Sequence, residues 1–444
     1  MLTSRKMRRC AGFIARYFSN NLLKKVHDPR SNQGRRHKSA IPLLRSVCVG
    51  LSAKCKGLAQ LEELTQQMPQ QVRKLIGIKS RLADTTMRDF LCALNSYDIC
   101  KLIYTVGYDA FRRKAIVSTK QFPWGVMSLD GKYPTVSDIG DGKHGASNYL
   151  QVHHDNETGI ATHGVIRVIT AVLISAIGRP LLGASPVAGS TNEVSHFKQA
   201  FGELAQYYRR YFRLVLYDAG AASITNAATV VKAGKHYLFQ IADPKWVMYK
   251  TVELLLNNKI PVAIDEQIKS NKRLVRQLYM CPVVKTNTPK VNQKICDSVM
   301  WPHIKTIFKV VSLVYENDKL ISTKTRFFVS SMSADELKAD KWLELIVARW
   351  GVETVHQILD VSFEEDKHPW ITKNANGALV VMLLRRLVYT LLTLYKSVTL
   401  RSEESREMTW RQLMQQIRDT LLWAKENIFD GLRPRVFAVP PALY

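Results

Sequence analysis

Acidic residues are scarce in this chain. Over 444 residues, 37 Asp and Glu stand against 64 Lys and Arg, a formal net charge of +27. An imbalance that large suits a polyanionic partner, nucleic acid or an anionic membrane surface, better than a merely solvated surface. Long apolar runs are lacking too. The longest uncharged one lies between Arg167 and Arg179, well short of the ~20 residues a membrane-spanning helix needs. Gly377 to Tyr395 is longer but carries Arg385 and Arg386 at its centre. It is expected to be a helix buried in protein, its arginines paired. Ala11 to Ala15 is too short for a secretory core, so no membrane partner is expected. Cysteine pairs are also missing. Cys10, Cys48, Cys55, Cys92, Cys100, Cys281 and Cys296 form an odd, scattered set without a Cys-x-x-Cys. That argues against a disulfide framework or a zinc ribbon and suits reduced thiols in a cytoplasmic protein.

What is present is a substantial apolar content, 46% of residues, enough for two or three cores. Residues 1–45 hold twelve Lys/Arg and one acid, Asp28. A basic arm touching phosphates is expected there, with an organelle transit peptide as the lesser reading. Spacings of three and four (Ile41, Leu44, Cys48, Leu51; Leu58, Leu61, Leu64, Met68) predict helices up to about Ile103. We therefore expect a basic arm and helical DNA-binding region over 1–120. From Pro123 the period changes. Strands are predicted at Val126–Asp130, Val165–Ile177, Leu181–Ala184, Leu214–Asp218 and Tyr237–Ala242, with helices at Thr191–Gln206 and Ala222–Ala233. The order describes an α/β domain with a mixed sheet over 121–242. Residues 243–330 carry fifteen Lys/Arg and seven acids. With β-prone pieces such as Ile307–Tyr315, they indicate a basic, β-rich insertion over 243–332. The core resumes over 333–395, followed by a helical tail over 396–444.

Two of the strands end on an acid. Trp124-Gly-Val-Met-Ser-Leu-Asp130 leads into Gly131-Lys132, and Phe212-Arg-Leu-Val-Leu-Tyr-Asp218 leads into Ala219-Gly220. Downstream, the helical run from Lys341 through Glu353 places Arg349, Glu353, His356 and Asp360 on one polar stripe at ~100° per residue. The rest of its circumference is largely apolar and is expected to be buried. Strand-end carboxylates joined by a helix glutamate suit two hard cations acting on a phosphodiester. The plainer alternative is an internal network pairing Arg349 with Glu353 and His356 with Asp360. Asp243 also ends an apolar strand, but Pro244 follows it, so it ranks below Asp218. Gly140-Asp-Gly-Lys-His-Gly145 spells a dinucleotide loop without the preceding strand or following helix that such a loop requires. His144, His153, His154 and His163 crowd together without zinc-site spacing.

At these same residues the chain resembles the DDE transposases of bacterial insertion sequences, in the branch that includes the H-repeat-associated proteins. The likeness is carried by Asp28-Pro-Arg, Gly34-Arg-Arg-His37, Leu129-Asp-Gly-Lys132, Gly189-Ser-Thr-Asn-Glu193 and Tyr217-Asp-Ala-Gly220. It continues, in the family's order, through Trp301-Pro-His-Ile-Lys305, Arg326-Phe-Phe-Val-Ser-Ser331, Arg349-Trp-Gly-Val-Glu353 and Leu359–Asp366. The resemblance implies a ribonuclease H-like catalytic domain in which Asp130, Asp218 and Glu353 bind two Mg²⁺, with Mn²⁺ able to substitute. It implies cleavage of element ends and strand transfer on double-stranded DNA, with terminal inverted repeats and target DNA as partners. Assembly on DNA as a homodimer or larger, in the bacterial cytoplasm at the nucleoid, would follow. Lys132, Arg349, Arg35 and Arg36 are candidate DNA contacts. An inactive DNA-binding relic and a nuclease on the same fold remain as alternatives.

Overall fold

The computed structural model describes the chain except for residues 1, 31–38, 120–121, 123, 134, 137–147, 156, 160, 284–300, 302, 401–406 and 441–444. Arg35, Arg36, the Gly140–Gly145 loop, His144 and Cys296 fall outside the described residues.

Five strands form the centre of the sheet: β1 (Val126–Lys132), β4 (Ala161–Leu173), β5 (Leu181–Val187), β6 (Leu214–Tyr217) and β7 (His236–Ile241). Their lateral order is β5-β4-β1-β6-β7. The first three run antiparallel, while β6 and β7 lie parallel to β1. The parallel pair β6–β7 is linked through helix α9 (Ile224–Lys232), as a crossover between parallel strands requires. All four residues of β6 are buried, which is what a strand covered on both faces shows. This is the ribonuclease H-like arrangement, and all five predicted strands are present. Short β2 (Thr135–Val136) and β3 (Leu150–His154) pair with the first half of β4.

The β-rich insertion continues the same sheet. After helix α10 (Val247–Leu256) come β8 (Ala263–Lys269), β9 (Lys272–Pro282), β10 (Thr306–Glu316) and β11 (Lys319–Ser330). β11 pairs antiparallel with β7, and β10, β9 and β8 follow outward. Phe327, Phe328 and Val329 are buried in the core while the far ends of these strands are exposed.

Among the described residues seven helices precede the sheet: α1 (Ser4–Tyr17), α2 (Asn20–Leu23), α3 (Ala40–Ser52), α4 (Leu58–Gln67), α5 (Gln70–Ile76), α6 (Asp84–Ala93) and α7 (Ser96–Arg112). Between strands lies α8 (Glu193–Tyr207). Downstream are α11 (Ala339–Ala348), α12 (Gly351–Val361), α13 (Ala375–Leu394) and α14 (Trp410–Trp423). α3, α6 and α7 pack on α13, and α7 also on β5, so the helical region shares one apolar core with the sheet. The expected basic arm begins as a packed helix. Cys10, Phe13, Ile14 and Tyr17 of α1 are buried, α1 lies against α14, and Phe13 meets Tyr395 at 4.9 Å between ring centroids. An amphipathic stripe within the arginine-rich stretch produces this, basic residues taking the other face.

α13, with its continuation to Thr399, is the one described helix long and apolar enough to cross a membrane, and it is enclosed by protein. Its arginines are indeed paired. Arg386 Nη1 donates to Glu365 Oε1 at 2.8 Å and to the Met382 carbonyl at 2.9 Å, while Arg385 donates to the carbonyls of Glu365 and His368. The described cysteines carry no disulfide. Burial pushes the Cys48 and Cys55 thiols up to about 12.

Candidate active site

β1 organises the site through its alternating faces. Ser128, Asp130 and Lys132 point to the side where α12 lies, and each holds a different part of that helix or its flank. Ser128 Oγ donates to the Arg349 carbonyl at 3.0 Å. Asp130 Oδ2 lies 3.3 Å from His356 Nδ1. Lys132 Nζ pairs with Asp360, and with Glu365 and Asp366 at 3.5 and 3.4 Å. Two strand residues advance ~6.6 Å and four helical residues ~6 Å. The repeat of β1 therefore keeps step with His356 and Asp360.

Asp218 arrives from the neighbouring strand. Leu129 pairs with Tyr217 in parallel register, so Asp130 and Asp218 occupy the next step on strands ~4.8 Å apart. Asp218 caps the short turn Ala219–Ala221, and its Oδ1 accepts the Gly220 N–H at 2.8 Å. Burial foremost, then the charge of Asp130, raises the Asp218 carboxyl above its ordinary range. The Glu353 carboxyl is also raised, by burial first, with Asp130 and Asp218 adding and Arg349 and Arg326 opposing. The charge of Asp130 thus bears on Asp218, and the charges of both bear on Glu353, as for groups around a common cation position.

Two expectations about the glutamate helix are corrected. The run from Lys341 onward is not one helix. α11 ends at Ala348, α12 begins at Gly351, and Trp350 sits between at φ −65°, ψ 0°. The Ser128 hydroxyl engages the Arg349 carbonyl, and Gly351 abuts Ile174, where a Cβ would stand 2.9 Å from Ile174 Cγ2. A side chain inserted at the ladder and a close approach to the sheet account for the break. Nor is the helix buried on most sides. Glu353, Thr354, Gln357 and Val361 are exposed, and the Glu353 side chain is 53% exposed. α12 covers β1 and β4 with one face only, which leaves Glu353 at the rim.

The anticipated internal network forms only in part. Arg349 Nη2 lies 3.7 Å from Glu353 Oε1, but His356 turns to Asp130, and Asp360 to Lys132. Lys132 is 8% exposed with its ammonium among three carboxylates, a structural setting rather than an open DNA-facing one. Among the described residues, Asp360, Glu365 and Asp366 are the acids whose oxygens all lie within 4.8 Å of one another. The Lys132 ammonium already serves them as counter-charge. Asp130, Asp218 and Glu353 are spaced more widely. As donors they fit a hard cation: carboxylate oxygens only, with no thiolate or unshared imidazole among them. Asp243 accepts the Lys245 N–H at 2.9 Å in a turn. His153 and His163 stack across β3 and β4 at 4.8 Å.

Sequence reasoning left Glu193 without a chemical role and did not anticipate the contribution of the insertion. Glu193 opens α8 directly after the N-cap Asn192, whose side chain accepts the Ser195 N–H at 3.0 Å. It is 7% exposed. Its carboxyl is raised by burial first, with Asp218 and Asp130 adding their charge. An acid immediately after a cap was the available signal. From β11, Arg326 lies 5.1 Å from the ring centre of Trp350; from β9, Arg276 lies 6.0 Å away; Arg349 is at 5.5 Å. The insertion therefore delivers positive charge to the face of Trp350, three residues before Glu353.

A mixed sheet that presents acids from two adjacent central strands and a covering helix defines a carboxylate site of the kind that serves divalent-metal phosphoryl chemistry. The chain belongs to the DDE transposases: the family model "Transposase DDE domain" matches residues 150–391, just over half of it. The match takes in Asp218 and Glu353 and starts beyond Asp130. No curated protein matches the chain. Among solved structures, the cryo-EM structure of a piggyBac transposase synaptic complex with hairpin DNA is similar at 12% identity. It covers 96% of this chain and 85% of that one, with a TM-score of 0.46.

Proposed function

We propose that this chain is the DNA transposase of a bacterial insertion sequence, of the branch that the H-repeat-associated proteins represent. It cuts the element's ends and joins them to target DNA. What supports the reading is the placing of Asp130 and Asp218 on adjacent strands, with the charge of Asp130 bearing on Asp218 and both bearing on Glu353, in a strongly basic chain. These three would hold two Mg²⁺, with Mn²⁺ as a substitute. When bound, the ions supply Lewis-acid activation of the attacking oxygen and charge stabilisation at the departing one. Arg349 steadies Glu353 through their ion pair, and His356 orients the Asp130 carboxylate. Arg326 and the Trp350 face meet the DNA beside the site, with terminal inverted repeats and target as successive partners. The active assembly is a homodimer or larger on DNA, at the nucleoid in the cytoplasm.

The test is an assay in which labelled element ends are joined to a plasmid. Wild type should cleave and join with Mg²⁺ or Mn²⁺ and lose both reactions in EDTA. Asp130→Asn, Asp218→Asn and Glu353→Gln should bind the ends but do neither. Cleavage without joining would identify a nuclease instead, and binding without cleavage by wild type an inactive relic.

A further inference from the structure

Glu193 reaches the acidic centre from the opposite side of the sheet to Glu353. Tyr217, the register partner of Leu129, donates its hydroxyl to Glu193 Oε2 at 3.2 Å, and Tyr133 donates to Oε1. The carboxylate then fills the gap between the two segments that bear Asp130 and Asp218. Both segments have a glycine where it passes. A Cβ on Gly131 would stand 1.7 Å from Glu193 Oε1, so no side chain fits there. A Cβ on Gly220 would stand 3.0 Å from Asp218 Oδ1 and 3.2 Å from Glu193 Oε2. One point therefore lies close to carboxylate oxygens of both residues, kept open by a residue that has no side chain.

A purely structural role explains this poorly. A buried carboxylate is expensive unless it is paired. Among the described residues, no Lys, Arg or His forms an ion pair with Glu193, and its hydrogen-bonding partners are two neutral phenols. The N-terminus of α8 offers partial positive charge, but the nearest full charges that bear on it include those of Asp218 and Asp130. A glutamine could satisfy both tyrosines without that repulsion. A glutamate at this position is explained by a cation that the three acids share.

We propose that Glu193 is a fourth carboxylate of the divalent-metal site, a ligand to the cation held by Asp130 and Asp218. The proposal rests on the reading of that site as a metal centre. Each Glu193 oxygen has a second lone pair beyond the one its tyrosine uses, so ligation and both hydrogen bonds coexist. The tyrosines act as the outer support that aims a ligand. Glu353, on the exposed rim, completes the site from the other face.

The experiment is Mn²⁺ binding to the full chain without DNA, followed by titration calorimetry and by electron paramagnetic resonance in isotopically labelled water. Wild type should bind, and Glu193→Gln should weaken binding by ~10-fold or more while increasing the count of metal-bound waters by one. A remote charge would alter affinity but not that count. Glu193→Asp, which keeps the charge but retracts the oxygen, should give an intermediate affinity and serves if the glutamine variant does not fold. Glu364→Gln should bind like wild type. If Asp130→Asn and Asp218→Asn lose Mn²⁺ while Glu193→Gln and Glu193→Asp bind it with wild-type affinity and water count, Glu193 is not a ligand and the metal-centre reading survives. If wild type itself binds no Mn²⁺, the metal-centre reading and this proposal fall together.

Discussion

Removing Arg386 tests the buried ion pair that lies beside β1 and β4. Its side chain is 0% exposed and that of Glu365 2%, with 2.8 Å between them. Arg386 also donates to the Met382 carbonyl and reaches Thr170 Oγ1 at 3.4 Å, and Thr170 is the register partner of Asp130. At an effective dielectric of ~20, two unit charges at this range attract by about 6 kcal/mol. Most of that offsets the cost of taking both out of water. Arg386→Met leaves Glu365 buried with Lys132 at 3.5 Å as its remaining ion-pair partner among the described residues and Arg385 as a weaker charge, and breaking such a pair from one side costs about 3–5 kcal/mol. Arg386→Met combined with Glu365→Leu removes both charges and should cost clearly less than the sum of the single changes. Urea unfolding followed by circular dichroism supplies the numbers. The pH dependence adds a check. Burial alone would raise the Glu365 carboxyl, but Arg386, Lys132 and Arg385 outweigh it and hold it below its ordinary value. A carboxyl depressed in the folded state stabilises fully above the unfolded value of ~4.3. That contribution disappears as the pH falls through the lower folded value. The destabilisation by Arg386→Met should therefore be largest near neutral pH and shrink as the pH falls through that lower folded value, where the contribution it removes is already lost. A cost below ~1 kcal/mol, or strict additivity in the double variant, would refute this account.

Glu353→Gln keeps shape and hydrogen bonding yet should lower end cleavage by ~10²–10³-fold or more, with DNA retention on a gel unchanged; Glu364→Gln, paired with Lys54 away from the site, should stay active. Asp218→Asn should raise the melting temperature of the metal-free protein at neutral pH, because it removes charge repulsion from a buried site. The Asp218 carboxyl is raised in the folded state, so wild type binds that proton more tightly folded than unfolded. Its metal-free stability should therefore improve as pH falls through the raised value, and the Asn variant should lack that gain. Near the N-terminus, Arg5, Arg9 and Arg16 line a groove of about 220 Å³; changing all three to Gln should flatten the log–log salt dependence of DNA binding by ~0.9 for each phosphate no longer neutralised, whereas an unchanged slope would place DNA elsewhere.

Much of this protein is legible locally. Short apolar runs marked all five central strands within a few residues, because a strand covered on both faces is apolar along most of its length. Asp130 and Asp218 stood out as charges that follow apolar runs; β1 carries on to Lys132, so only Asp218 lies just past the end of its strand. The Arg385–Arg386 pair inside an apolar helix correctly signalled buried partners. The helix break at Arg349–Trp350 was not legible, since it depends on Ser128, 221 residues earlier. The partners of His356, Asp360 and Lys132 were missed because i,i+4 spacing describes one helix in isolation, and β1 outcompetes it.

The amino-acid sequence by itself determined the element order, the mixed character of the sheet, the basic charge and the candidate acids at strand ends, since hydrophobic periodicity and charge are properties of neighbouring residues. Only the tertiary structure decided which acids come near one another. Register between β1 and β6 sets Asp218 beside Asp130, and the passage of α8 beside two glycines brings Glu193 to them. The stapling of α12 to one face of β1 leaves Glu353 at the rim and draws Lys132 into a salt-bridge cluster. Those outcomes arise from long-range packing, where a charge is fixed by what approaches across the fold and not by its neighbours along the chain.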